Sequence, residues 1–123
     1  MNGNETQKAN GMIDISPKER ILLSGIRSRP PMYIGDYSLS KLWIFLMGYG
    51  GALRNHALDD QCCIMPKGFN DFVLKKYNLY PSSMGGVRAI LQNMPDGKEA
   101  IEAFFNLLDE FLEANGLEKI QRL

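Results

Sequence analysis

The stretch DGKEAIEAFFNLLDEFLEANG, residues 96–116, decides the fold class. Ile101, Phe104, Phe105, Leu108, Phe111 and Leu112 recur at the three- and four-residue spacing that gathers side chains on one face of an α-helix. Asp96-Gly97-Lys98-Glu99 has the form of a capping box at its start, and Asn115-Gly116 supplies a left-handed stop at its end. Opposite the phenylalanine stripe stand Glu99, Glu102, Asp109, Glu110 and Glu113, so these carboxylates are predicted to project outward together. Between residues 96 and 114 the chain carries six acidic groups against one basic group, which makes this helix strongly negative.

Four more helices follow from the same periodicity, working back along the chain. One begins after Ser82 or Ser83, turns Met84, Val87, Ile90, Leu91 and Met94 inward, and stops at Pro95. Before it, Phe69, Phe72, Val73 and Tyr77 form a stripe that ends ahead of Tyr80-Pro81. A long apolar helix starts at Ser38 or Ser40, with Leu39, Leu42, Leu46, Tyr49 and Leu53 in line. Trp43, Ile44, Phe45 and Met47 widen that line nearly all round, which predicts a helix at the centre of the fold. Its Gly48, Gly50 and Gly51 each cost about 1 kcal/mol relative to alanine, and so point to close packing or a kink.

The first helix opens on Ser16-Pro17-Lys18-Glu19, again capping-box chemistry with proline at the first helical position, and sets Ile21, Leu22 and Ile26 on one face. Pro30 and Pro31 disfavour helical geometry before them, so Pro30 to Asp36 reads as an extended, rigid connector. Cys62-Cys63-Ile64-Met65 has the composition of a short strand, and residues 1–14 read as a flexible arm. The expectation is an all-α protein: a compact bundle of about five helices in one domain over residues 15–123.

The 123 residues carry 14 basic and 14 acidic side chains, a balance that argues against the summed positive field behind non-specific binding to nucleic acid or an anionic membrane. The first fifteen residues lack a signal-peptide core, and the longest apolar stretch falls well short of the ~20 residues of a membrane span, so a cytoplasmic location is expected. Adjacent Cys62 and Cys63 are read as reduced thiols. His56, near Asp59 and Asp60, is best explained as a group that interacts favourably with a helix C-terminus. No metal, cofactor or catalytic residue is expected, because no nucleophile context exists and the glycine pairs lack the strand, lysine and hydroxyl of a phosphate loop.

The most distinctive segment is RSRPPMYIGD, residues 27–36. Its prolines stiffen it, Met32, Tyr33 and Ile34 are predicted to pin it to the core, and Gly35-Asp36 starts a turn. Arg27 and Arg29 are in addition candidates to bind an anion or a partner's carboxylates. The segment resembles the R-x-R-P-x-M-Y-I-G stretch near the start of the ATPase domain of type II DNA topoisomerases such as DNA gyrase. That resemblance implies a glutamate that activates water and an asparagine that holds magnesium on the next helix. Gly48 and Ala52 fall at those two places, so the general-base and metal roles have no occupant.

The wider layout resembles small bacterial immunity proteins encoded beside contact-dependent or other polymorphic toxins. It is carried by the R-P-x-M-Y-I-G segment, the apolar helix, FNDFVLKKY and the F-x-x-L-L-x-E-F helix, over residues 17–114. The resemblance implies a stoichiometric binder that occludes a cognate toxin domain, with a nuclease the class that an acidic helix would be steered to. The contact surface is expected from Glu99, Glu102, Asp109, Glu110 and Glu113 together with Arg29, Tyr33, Asp36 and Tyr37. Two alternatives stand beside it: a homo-oligomeric module that self-packs through the glycine-rich helix, and a degenerate nucleotide-binding protein with Arg27, Arg29 and Tyr33 around a phosphate. The unbound chain is expected to be a monomer or a homodimer.

Overall fold

The phenylalanine stripe turns inward as its spacing requires, and four of the other five described helices pack around it. A computed structural model describes residues 14–56 and 64–123. Their elements run α1 (Pro17–Ser28), α2 (Pro30–Ile34), α3 (Leu39–His56), α4 (Phe69–Lys76), α5 (Gly86–Leu91) and α6 (Lys98–Ala114). The fold is all-α, with no strand among the described residues. No helix among them is long and apolar enough to cross a membrane. Cys62, Cys63, Asp59, Asp60 and the arm up to residue 13 lie outside the described residues. Asp14 already belongs to the fold through an ion pair with Arg20 at 2.7 Å.

Helix α6 is the hub and touches α1, α3, α4 and α5. Eight of its 17 residues are buried, the six predicted ones together with Ala100 and Leu107. Phe104 meets Trp43, Phe69 and Phe105 edge-on at 6.2, 5.7 and 5.2 Å between ring centroids, and Phe111 meets Phe72 at 5.4 Å. Such pairs add about 0.5–1.5 kcal/mol each beyond the area they bury. Gly116 closes the helix at φ +75°, and the Leu117 N–H returns to the Leu112 carbonyl at 2.8 Å.

Helix α3 is not the centre of the bundle. Only Leu39, Leu42, Leu46 and Gly50 of its 18 residues are buried, while Ile44 is 71% exposed and Met47 is also exposed. Its apolar residues are spread around the circumference, so one line is buried, Trp43, Phe45 and Tyr49 pack against the core at its flanks, and Ile44 and Met47 are left outside. Close packing accounts for one of its glycines: a Cβ at Gly50 would sit 3.3 Å from the Ile64 side chain, whereas one at Gly48 would meet nothing.

The connector is a helix and not an extended segment. Pro30 and Pro31 take the first two positions of α2, where a missing N–H costs nothing and φ is already helical, and Gly35 ends the turn at φ +79°. With α2 the described helices number six, one more than the periodicity predicts. Both capping boxes are also used differently. Ser16 makes no side-chain cap, and Glu19 is buried and accepts a hydrogen bond from the Tyr49 hydroxyl at 2.8 Å. Asp96 serves α3 across 57 residues of sequence, so α6 starts on Gly97 with no side-chain cap.

Candidate functional site

The polar face of α6 divides in two. Asp109 does not project outward: one oxygen pairs with Arg27 Nη1 at 2.8 Å, and the other accepts the Ile120 N–H at 2.9 Å. Arg27 Nη1 also donates to the Ile120 carbonyl at 2.7 Å, and the guanidinium lies over the Phe105 ring. Asp109 and Arg27 thus fasten the C-terminal tail to α1, aided by the Ser28 hydroxyl, which accepts the Leu123 N–H at 2.8 Å. Further along the face Glu110 pairs with Lys76 at 2.7 Å and Glu113 with Lys119 at 3.8 Å, all four side chains being exposed. Glu99 and Glu102, in the first two turns, are exposed and pair with no cation among the described residues.

Beside that unpaired end lies the α2 segment. Met32 does not pin it to the core, being 67% exposed; Pro30 is buried, and Ile34 packs against the core. Tyr33 and Tyr37 each expose about two fifths of their surface. Tyr33 is seated on α1 at Gly25, where any Cβ would collide with its hydroxyl. Asp36 accepts the Tyr37 N–H and pairs with Lys41 at 3.4 Å, while Lys98 lies over the Tyr37 ring at 5.1 Å. Arg29 is exposed and makes no ion pair among the described residues.

Two clefts flank Ser28. A cleft of about 300 Å³ is lined by Gly25, Arg29, Met32, Tyr33 and Leu123 along with Ser28. The other, of about 350 Å³, brings Tyr37, Lys98, Glu102 and Arg122 together with Arg27 and Pro30. Of the nine residues expected at a contact surface, Tyr37 and Glu102 line one of these clefts and Arg29 and Tyr33 the other, on the two sides of Ser28; Asp36 and Glu99 are chain neighbours of Tyr37 and Lys98. Glu110 and Glu113 lie toward the other end of α6, and Asp109 is part of the internal framework. The sequence does not nominate Met32, Lys98, Arg122 or Leu123 for this surface, because a tail that docks on α1 leaves no local pattern.

The start of α3 borders the same region. Ser38 Oγ accepts the Lys41 N–H at 3.1 Å, and Asp96 accepts from the Ser38 hydroxyl and the Leu39 and Ser40 N–H groups. Burial is the largest single influence on the Asp96 carboxyl and acts to raise its pKa. The hydrogen bonds from Ser40, Leu39 and Ser38 together outweigh it, so the pKa lies below the ordinary carboxylate value. His56 sits exposed in the last turn of α3 with Arg54, where a positive charge suits the helix dipole. Among the described residues no group of three or more His, Cys, Asp or Glu side chains could hold a metal ion. The chain matches no family model, no curated protein and no solved structure.

Proposed function

We propose that this chain is an immunity protein: a stoichiometric binder that occludes a cognate bacterial toxin domain in the cytoplasm and performs no chemistry of its own. One observation carries the reading. Half-exposed Tyr37 shares a cleft with Glu102, and Met32 and Tyr33 expose apolar surface along the cleft on the other side of Ser28, while Glu99 and Glu102 are the α6 carboxylates that the described residues leave without cations. Large side chains with polar tips anchor interfaces, and unpaired charges at the rim set rate and register. The contact surface is accordingly smaller than the whole acidic strip and centres on α2 and the first two turns of α6. A nuclease is the favoured target class, since its phosphate-holding groove is basic and would attract those two carboxylates.

The test starts with the tagged chain as bait in its native host, followed by purification of any stoichiometric companion and assay of its toxic activity. Inhibition at a one-to-one ratio, weakened on the order of tenfold or more by E99K/E102K, supports the proposal. A companion whose activity the chain leaves intact would overturn it. Exposed Ile44 and Met47, with open space at Gly48, favour a second reading in which α3 packs against another copy. Solution mass separates the two: a stable dimer that dissociates with I44K would move the interface to α3.

A further inference from the structure

The 350 Å³ cleft gathers two cations that pair with no carboxylate among the described residues, and we infer that it binds a small oxyanion, a phosphate or carboxylate group. It lies between the end of α1, the start of α2, the first turn of α6 and the C-terminal tail. Lys98 and Arg122 line it, and neither pairs with a carboxylate among the described residues. Arg27 lines it as well; its Nη atoms are committed to Asp109, Asn106 and the Ile120 carbonyl, but its side chain is only 10% exposed and its Nε is buried without a hydrogen-bond acceptor among the described residues. A buried donor left unpaired is uncommon in folded proteins and calls for a ligand or a strain that explains it.

A second observation comes from the start of α6. Both oxygens of Asp96, which local sequence assigns to that terminus, are committed to α3, so the first turn of α6 has glycine as its cap and no side-chain acceptor. Helix N-termini carry partial positive charge and unsatisfied N–H groups, both of which an anion satisfies. The cleft reaches this turn at Lys98, Ile101 and Glu102. Guanidinium and ammonium groups then supply charge-assisted hydrogen bonds to the oxyanion, and Pro30 and Ile101 bound it with apolar surface. Glu102 is the opposing charge in the cleft. It limits affinity for a multiply charged anion and favours a group of low charge.

The test is a titration of the full chain with inorganic phosphate at constant ionic strength, repeated with acetate, reading both the thermal midpoint and backbone amide shifts by NMR. A saturable rise in midpoint with either anion is expected, with the first amide shifts at residues 98–102 and 27–28. The double variant K98Q/R122Q should lose it. K18Q/R88Q, which removes the same charge from exposed positions outside the cleft, should retain it. Glu102→Gln should tighten binding about two- to fivefold by removing the like charge. The NMR titration of Glu102→Gln keeps the inference testable if K98Q/R122Q fails to fold. No saturable response, or equal responses in the two double variants, would overturn it. Because the probe is an inorganic or small organic anion, this result stands apart from whether a toxin partner is found.

Discussion

The two ends of α6 carry the same kind of side chain on the same face and put it to different use. Toward the C-terminus the fold supplies a cation for every carboxylate: Arg27 for Asp109, Lys76 for Glu110 and Lys119 for Glu113. In the first two turns Glu99 and Glu102 have none among the described residues. An acidic helical face is therefore not one functional unit. Its charges divide according to what the rest of the chain brings up to them, and only the remainder is available to a partner.

The largest expected effect comes from breaking the internal end. Asp109→Ala strands a guanidinium that is mostly buried and releases Ile120, which should cost about 3 kcal/mol in urea unfolding. Carboxypeptidase should then trim the tail faster than in the parent chain. A loss below about 1 kcal/mol would erase the distinction between the two ends. Because Asp109 holds the tail, a combined substitution of Glu102, Asp109 and Glu110 should weaken the fold along with any binding.

Next in size is Asp96→Ala, which removes the acceptor at the start of α3 and should cost about 1 kcal/mol at neutral pH. The sign with pH follows from the lowered pKa. A carboxyl held below its unfolded value of about 3.9 stabilises the fold fully above that pH, and the contribution disappears as pH falls through the folded pKa. Stability curves of the parent and Asp96→Ala should converge below about pH 4; a constant gap would show that the contact is not ionic. Glu110→Gln, at an exposed pair, should change stability by no more than about 0.5 kcal/mol. Smallest of all is E99K/E102K, expected within about 0.5 kcal/mol of the parent. If that double change unfolds the chain, the N-terminal end is structural too.

How much of this was legible depends on the range of each interaction. The α6 stripe and its Asn115-Gly116 stop are local, and the residues that the spacing nominates are the ones buried. Hydrophobic content alone misleads: α3 is apolar nearly all round, yet it is α6, with its clean two-sided division, that takes the core. Pro30-Pro31 fits both an extended connector and the first turn of a helix, and the choice between them rests on Gly35 accepting a left-handed conformation. The carboxylates of α6 share a face as expected. The cations that neutralise Asp109 and Glu110 arrive from 82 and 34 residues away, and no pattern along α6 encodes them. Asp96 is the same lesson at a helix cap, since its partners lie across the bundle.

The most direct measurement is calorimetric affinity of the proposed toxin partner, once captured, for two charge-reversed chains, E99K/E102K and E110K/E113K. Loss of binding on the order of tenfold or more in the first, with the second close to the parent, is the expected result. The opposite order, or equal losses, would contradict a contact surface centred on α2 and the start of α6.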